Sequence, residues 1–162
     1  MKQIVCGIVL LLVIGSDFSQ ASTSIGIGGG IHTLFDKDYT IGYSGAVQGD
    51  IKLGNRWALE PMVSYETYKK SEAKIKSDPL AGKTSTLMAF RLSAKYFITD
   101  NIFASAGPAL FTSSDNGIWG TAILPSASVG YRLHLDQQND IELSLQALTP
   151  GIRAVYYFNF KK

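Results

Sequence analysis

Residues 152–162 of the chain read Ile-Arg-Ala-Val-Tyr-Tyr-Phe-Asn-Phe-Lys-Lys, and this stretch contains two interleaved patterns. One set of alternate residues is apolar throughout: Ile152, Ala154, Tyr156, Phe158 and Phe160. The other set is mostly polar: Arg153, Val155, Tyr157, Asn159 and Lys161. Because successive side chains of a β-strand point to opposite faces, this period of two predicts a strand with one apolar and one polar face.

The same alternation recurs in seven earlier segments that are separated by turn or loop residues. The eight predicted strands are Ser24–Phe35, Ile41–Leu53, Trp57–Tyr68, Thr84–Ile98, Ile102–Thr112, Gly120–Leu133, Ile141–Thr149 and Ile152–Lys162. The fifth strand is apolar or small on both parities, so the sequence leaves its facing open. Three prolines fall inside predicted strands, where each removes a ladder hydrogen bond, and we expect local bulges or shifted loops there: Pro61, Pro108 and Pro125.

The connections between the predicted strands alternate in length. Tight polar turns at residues 54–56, 99–101 and 136–140 follow strands two, four and six, and mostly longer loops lie at the opposite end. An even number of strands with short turns at one end is typical of a transmembrane barrel, with the turns periplasmic and the loops outside. The sequence therefore predicts an all-β fold, an eight-stranded antiparallel up-and-down transmembrane β-barrel.

The N-terminus has the pattern of a cleaved secretory signal. Lys2 supplies the positive start, residues 4–14 supply the apolar core, and Ser19-Gln-Ala21 supplies the small-x-small cleavage site. Residues 1–21 are therefore a predicted signal peptide, and residues 22–162 form a single predicted barrel domain. Cys6 lies within the signal, so we expect no lipid anchor and no cysteine in the mature chain. The formal charge of +2 argues against a nucleic-acid partner.

Alternation alone also fits a soluble periplasmic lipocalin-like carrier, with its apolar face turned inward around a ligand. Two observations favour the membrane instead. The polar parity is rich in Gly, Ala and Ser, which a narrow eight-stranded lumen needs to fit its contents. The apolar parity carries aromatics near strand ends, where interfacial girdles form: Phe35, Tyr43, Trp57, Tyr96, Tyr131, Tyr156 and Phe160.

The segment Lys95-Tyr-Phe-Ile-Thr-Asp-Asn-Ile-Phe103 resembles the periplasmic hairpins of the OmpA/OmpX-like family of small outer-membrane β-barrels. The resemblance covers essentially all of the mature chain, although the family usually ends on an aromatic and this chain ends Phe160-Lys-Lys162. It implies a monomer in the outer membrane of a Gram-negative bacterium, surrounded by outer-membrane lipid and lipopolysaccharide. It also implies that the barrel assembly machinery reads a C-terminal signal formed by Tyr156, Phe158 and Phe160.

If the polar parity faces inward, it encloses four acidic and five basic side chains. This predicted lumen network comprises Asp50, Lys52, Glu60, Glu66, Arg91, Lys95, Arg132, Glu142 and Arg153. Near-balanced charges can pair in a narrow interior, which predicts a salt-bridged plug. An ion or proton path is the alternative interpretation.

Residues that could support catalysis or hold a cofactor are scarce, and we expect no enzyme activity, no cofactor and no metal. His32 and His134 lie near opposite ends of the predicted barrel, and no serine lies two residues from His134. The predicted role is structural or surface-interactive, in envelope integrity or adhesion. The alternative is a barrel enzyme that modifies lipid A, for example a deacylase.

The loop after the third strand is basic, with Lys69, Lys70, Lys74, Lys76 and Lys83 against Glu72 and Asp78. Outside a Gram-negative cell the nearest anions are lipopolysaccharide phosphates, so this loop could bind them weakly. A solvated loop without a specific partner, or one with an extracellular ligand, is also compatible with the composition.

Overall fold

The computed structural model describes residues 23–34, 36–77, 82–115 and 118–160. The predicted signal segment with Cys6, the girdle residue Phe35 and the terminal Lys161 and Lys162 lie outside these residues. The strands are β1 Thr23–Thr33, β2 Tyr39–Lys52, β3 Trp57–Lys70, β4 Thr84–Phe97, β5 Ile102–Asp115, β6 Ile118–His134, β7 Asn139–Gln146 and β8 Gly151–Phe160. A short helix, α1 (Glu72–Ser77), lies between β3 and β4 and was not predicted. No described helix is long and apolar enough to cross a membrane.

Each strand pairs antiparallel with its neighbours in the sequence, and β1 closes the sheet by pairing with β8. The predicted eight-stranded up-and-down barrel is therefore confirmed. Its tight turns join β2 to β3, β4 to β5 and β6 to β7, so one end carries the turns and the other carries the loops. We call these the turn end and the loop end.

The two faces of the wall are the reverse of those in a soluble protein. Large apolar side chains point outward and are exposed, for example Ile27 and Ile152, both 60% exposed. Charged side chains point inward and are enclosed, for example Glu66 and Lys95, both 0% exposed. The lipocalin-like arrangement would place these two classes the other way round. At the turn end, the rings of Trp57 and Tyr96 contact each other on the outer side, with centroids 4.8 Å apart and planes inclined by 52°, as in an interfacial girdle.

The structure resolves the facing of β5, which the sequence left open. Phe103, Ala109 and Phe111 of β5 are buried in the lumen, whereas Leu110 is exposed on the outside. Phe103 fits because the neighbouring strand β6 carries Gly130, where an added Cβ would collide with the Phe103 ring. An aromatic side chain thus fills the lumen opposite a glycine.

The glycines of β1 have the same role against β8. A Cβ built on Gly26 would lie 2.6 Å from Cγ1 of Val155 and 2.9 Å from the ring of Tyr157. Val155 and Tyr157 are enclosed in the lumen. The inner face of β1 therefore has no side chain at Gly26, so that two larger side chains of β8 can lie across it.

At each strand proline the pairing is interrupted on one side only. We expected bulges or shifted loops: no bulge occurs at the prolines, but β7, on the open side of Pro125, ends at Gln146 instead of Thr149. The β2–β3 pairing stops after Gln48/Met62 and resumes at Ile51/Leu59 in the same register, on either side of Pro61. The β4–β5 pairing is interrupted in the same way beside Pro108. Pro108 pairs directly with Pro125, so the two missing N–H groups point away from each other, toward β4 and toward the β7 side of β6.

The strands that form the barrel wall differ in length, so the height of the wall varies around the barrel. β6 has 17 residues and β7 has 8, and their pairing runs only from Ser128 to His134. One further backbone hydrogen bond, from Ala147 N–H to the Ala127 carbonyl, ends the contact. Among the described residues no strand pairs with the β7 side of β6 from Ile118 to Ser126. Pro125 therefore lies on an open strand edge, a position that tolerates proline.

Candidate functional site

The lumen contains two clusters of charged side chains, and the first lies toward the turn end. In this turn-side cluster, two bases bridge three carboxylates: Lys95 and Arg132 against Asp50, Glu60 and Glu142. Nζ of Lys95 lies 3.0 Å from Oδ1 of Asp50 and 2.9 Å from Oε2 of Glu142, and it is also paired with Glu60. Nη2 of Arg132 lies 2.7 Å from Oε2 of Glu142 and is also paired with Asp50.

Aromatic rings enclose the two bases of the turn-side cluster. Nζ of Lys95 lies 4.6 Å from the centroid of the Phe103 ring. The guanidinium of Arg132 lies 4.7 Å from the ring of Tyr157 and 5.1 Å from that of Phe97. The negative faces of aromatic rings attract cations, so these rings add to the stabilisation of the enclosed bases.

The second cluster lies nearer the loop end. In this loop-side cluster, Oε1 of Glu66 accepts a hydrogen bond from Nη2 of Arg91 at 3.0 Å, and the Tyr68 hydroxyl donates to Oε2 of Glu66 at 2.6 Å. The side-chain carbonyl of Gln146 accepts hydrogen bonds from Arg91 at 2.8 Å and from Arg153 at 3.1 Å. Every charged group of the cluster therefore has a polar partner, as enclosed charges require.

Eight of the nine side chains predicted for the lumen network are buried in these two clusters. Lys52 is the exception, because it ends β2 at the turn end and its side chain is exposed. The turn-side cluster holds three acids and two bases, and the loop-side cluster holds one acid and two bases. The small formal charges of the two clusters thus have opposite signs, so the clusters attract and the enclosed set as a whole is balanced. A cavity of about 20 Å³ between them has room for about one water.

Sequence reasoning missed a close pairing of His32 with Ser44. Nε2 of His32 lies 2.5 Å from Oγ of Ser44, and His32 is fully buried. The antiparallel register of β1 and β2 explains the contact, since His32 lies opposite Gly42 and Gly30 lies opposite Ser44 on the same inward parity. Only the register could have revealed this pair, because the two residues are twelve positions apart in the sequence.

His134 lies at the other end of the barrel, as expected, and the two histidines do not share a site. Nδ1 of His134 lies 2.7 Å from Oδ1 of Asp140, and half of the His134 side chain is exposed. Asp136, the acid nearest to His134 in sequence, instead closes the β6–β7 turn. Its carboxylate accepts hydrogen bonds from Asn139 and from the N–H of Gln138, and these bonds lower the pKa of Asp136.

The predicted basic loop is only partly a loop. Lys69 and Lys70 belong to β3, and Lys70 is buried at 1% exposure rather than solvated. Lys74, on α1, forms a 2.9 Å ion pair with Asp38. Lys69, Lys76 and Lys83 have exposed side chains. Among the described residues, no group of three or more His, Cys, Asp or Glu side chains could hold a metal ion.

An apolar cavity of about 440 Å³, which was not predicted, opens at the loop end. We call it the mouth cavity and define it by Tyr68, Leu87, Phe111, Ala122, Leu124 and Leu148. Its lining comes from five strands, β2 to β6, together with the β1–β2 connection and the β7–β8 turn. Such a site cannot be recognised before the register of the strands is known.

The side chains of the predicted C-terminal assembly signal all point outward. Tyr156, Phe158 and Phe160 are 37%, 46% and 58% exposed, and the rings of Tyr156 and Phe158 lie 5.0 Å apart. They form an aromatic ridge along the outer face of β8. These three side chains are therefore accessible from outside the barrel wall.

No protein-family model and no curated protein matches the chain. Among solved structures, a de novo designed transmembrane β-barrel aligns with 6% identity and a TM-score of 0.53, covering 86% of this chain and 95% of the other. The outer membrane protein Ail of Yersinia pestis aligns with 11% identity and a TM-score of 0.53, covering 87% and 100%. Neisserial surface protein A aligns with 14% identity and a TM-score of 0.50, covering 86% and 93%. The chain therefore has the fold of the small eight-stranded outer-membrane β-barrels.

Proposed function

We propose that the chain is an integral outer-membrane protein of a Gram-negative bacterium, exported by its N-terminal signal and acting as a monomer. Its role is structural or surface-interactive, in envelope integrity or adhesion. The observation that carries the proposal is the reversal of the two faces, with apolar side chains outside and ions enclosed. A bilayer is the solvent in which such a surface is stable, and the pairing of β1 with β8 closes the sheet so that it has no free first or last strand.

The outer surface argues against the soluble carrier. Ile27, Tyr43, Leu145 and Ile152 are each between 57% and 60% exposed, and they lie on β1, β2, β7 and β8, which are adjacent in the closed sheet. Contiguous apolar surface of this extent is rare on monomeric soluble proteins and marks membrane contact or association. The interior offers a soluble ligand little space at mid-height, because the charged clusters fill it.

The enclosed clusters favour a plug over an ion path. An ion would have to displace partners from Lys95 or Arg91, each of which is held by carboxylates at 3.0 Å or less. The cavity of about 20 Å³ between the clusters is not a continuous channel. Single-channel recording in planar bilayers tests this point, and steady ionic currents would contradict it.

The loop end is where a surface role would be exercised. The strands β2 to β6 are the longest and reach this end, and exposed Lys69, Lys76 and Lys83 make part of its rim basic. Weak binding of lipopolysaccharide phosphates is the contact that this charge favours. Replacing the three lysines with glutamine should lower retention on immobilised lipopolysaccharide at low salt. Unchanged retention would end this part of the proposal.

The membrane location is tested with the mature chain refolded in detergent. We expect it to stay folded only with detergent or lipid, to migrate differently on a gel before and after boiling, and to sediment with outer-membrane fragments after expression in a Gram-negative host. Folding without detergent, together with recovery in the soluble periplasmic fraction, would overturn the proposal.

One contact favours a hydrolase as the second candidate, namely His32 Nε2 at 2.5 Å from Ser44 Oγ. A base within hydrogen-bond reach of a hydroxyl is the first requirement of a serine nucleophile. Two features weigh against it. His32 is fully buried, and both carboxylate oxygens of Glu66 are already engaged, by Arg91, Ser64 and Tyr68, so that acid is not available to orient the ring.

A fluorophosphonate probe tests the hydrolase directly, because it labels activated serines. Labelling of the refolded barrel that disappears in Ser44→Ala, together with lipid A of reduced mass in expressing cells, would establish the enzyme. Absence of labelling, with Ser64→Ala as the matched control, would leave the structural role.

A further inference from the structure

The mouth cavity is an apolar site that the proposed structural role does not use. Its volume of about 440 Å³ lies within the range of about 300 to 1,000 Å³ that is usual for small-molecule sites. Phe111 and Leu87 form its floor, where they pack with the buried Ala89 and Ala109 above the loop-side cluster. Ser85, Ser113 and Thr149 add a few polar groups to the lining. A ligand for this site must be mostly hydrocarbon.

The wall beside the mouth cavity is incomplete. β7 ends at Gln146, while β6 continues toward the loop end with no described strand on that side beyond Ala127. The turn that follows β7 carries Leu148, which is partly buried against the cluster of Ala89, Ala109 and Phe111. The side chain of Leu148 therefore occupies a position in the wall where the rest of the barrel has a paired strand.

A shallow depression lies outside this gap, on the outer face of the barrel. Its lining is made of small or rigid residues: Ala106, Pro108, Pro125, Ala127 and Ala147. Leu148 lines this depression and the mouth cavity as well. The path from the outer surface to the cavity thus passes a single leucine, and it begins at Pro125, which has no N–H to leave unpaired at the open edge.

The height of the gap along the barrel axis indicates which molecules surround its opening. Pro125 lies six residues along β6 from the girdle residue Tyr131, which corresponds to about 15 Å of height at the usual strand rise and tilt. The apolar band of such barrels is about 25 Å tall. The opening therefore faces hydrocarbon, where the surrounding solvent consists of acyl chains.

We propose that the mouth cavity binds one acyl chain of a membrane lipid, which enters sideways past Leu148 between β6 and the β7–β8 turn. This inference rests on the membrane location proposed above. The charged end of the lipid stays outside, because the depression is apolar and the two enclosed clusters balance each other's charge. The cavity would recognise the acyl chain by its shape and apolar character. We therefore expect the site to select lipids by acyl-chain length rather than by head group.

Photocrosslinking tests the proposal on the full barrel in lipid nanodiscs. The probe is a phosphatidylcholine with a diazirine in one acyl chain, and peptide mass spectrometry locates the adducts. We expect adducts on inward-facing Phe111, Leu87 and Leu124 in addition to outward-facing Ile123 and Val129. Adducts on outward residues alone would overturn the inference and leave the membrane location intact. Absence of adducts on both faces would overturn the membrane location itself.

Two neighbouring positions on β6 supply matched variants. Ala122→Trp adds bulk within the cavity, whereas Ile123→Trp adds the same side chain on the outer face, where Ile123 is 73% exposed. We expect Ala122→Trp to reduce inward adducts several-fold and Ile123→Trp to leave them unchanged, with folding of each variant verified by its gel shift on boiling. Equal inward labelling in both variants would contradict the proposal.

A second arm separates a membrane lipid from a free hydrophobic solute. The same diazirine chain is supplied as a free fatty acid to barrels in nanodiscs of unlabelled lipid. Inward labelling by the free acid alone, with none from the phospholipid, would refute sideways access from the membrane. If Ala122→Trp does not fold, Leu148→Trp closes the gap from the turn, and undiminished inward labelling in that variant would refute the route.

Discussion

The ammonium group of Lys95 lies 3.0 Å from Oδ1 of Asp50, and both side chains are completely enclosed by the barrel wall. Lys95 also pairs with Glu60 and Glu142, so one cation holds three carboxylates that would otherwise repel one another. Arg132 shares two of them. The centre of the barrel is therefore held together by charges that depend on each other rather than by separate pairs.

Removing the Lys95 charge should strongly destabilise the barrel. Lys95→Met leaves three enclosed carboxylates with Arg132 alone, and breaking a buried pair by removing one partner typically costs about 3–5 kcal/mol. The measurement is the free energy of unfolding in urea, in lipid vesicles. The matched control is Lys52→Met, where the side chain is exposed and the change should stay within about 0.5 kcal/mol. Similar losses in the two variants would show that the turn-side cluster is not the source of stability.

A small side chain at Gly130 should conflict with Phe103. The Cβ of Gly130→Ala would overlap the Phe103 ring, and overpacking of this kind costs about 1–3 kcal/mol. Phe103→Leu should relieve the overlap, so the double variant should be more stable than the sum of the two single changes predicts. A double-mutant cycle measures this coupling. Additive effects would indicate that the ring and the glycine are not in contact.

Acid should weaken the β6–β7 turn through Asp136. The hydrogen bonds from the Asn139 side chain and the Gln138 N–H lower the pKa of this carboxyl in the folded barrel from its ordinary value of 3.8. The folded state thus binds the proton less readily than the unfolded state, and the contribution is complete above the ordinary pKa. It is lost as the pH falls from 3.8 through the lower pKa of the folded state.

The urea midpoint of the parent chain, measured from pH 6 to pH 2, should therefore contain an acid-dependent component that Asp136→Asn lacks. Asp100→Asn, in the β4–β5 turn, is the control for a change of net charge. If the two variants have the same pH profile, the hydrogen bonds of Asp136 do not contribute to folding.

The fold could be predicted from the sequence because polar inward-facing and apolar outward-facing residues alternate along each strand of such a barrel. The ends of the eight strands were predicted to within three residues, apart from the terminal lysines, which the structure does not describe. The facing of β5 could not be predicted, because Ala, Gly and Phe on its inner parity differ little from its outward-facing residues. It is decided by Gly130 of the next strand, which makes room for Phe103.

The contacts across strands were the part that the sequence could not supply. The contact of His32 with Ser44, and that of Leu148 with the cluster around Phe111, can be recognised only once the register and the short β7 are known. The prolines indicated irregular strand pairing, but the sequence pattern did not distinguish a bulge from an open strand edge. Lys52 follows the polar alternation correctly and still lies outside the cluster, because the alternation reports a face and not a depth.

Charged residues placed on the outer face should report how deep each position lies. Leu145, on β7, is 57% exposed and lies six residues from Asn139, about 15 Å up from the turn end at the usual rise and tilt. Leu145→Arg should therefore cost about 2–4 kcal/mol in lipid vesicles, as expected near the bilayer midplane. Leu135→Arg, where the side chain is 49% exposed beside the β6–β7 turn, should cost about 0–1 kcal/mol.

Equilibrium unfolding in urea, followed by tryptophan fluorescence and by the gel shift, gives both free energies. Each variant removes a leucine of similar exposure and adds the same charge, so their difference depends on the depth of the position. Equal and small effects at the two positions would mean that Leu145 faces water. That result would contradict the proposed membrane location, which requires the outer apolar face to contact hydrocarbon.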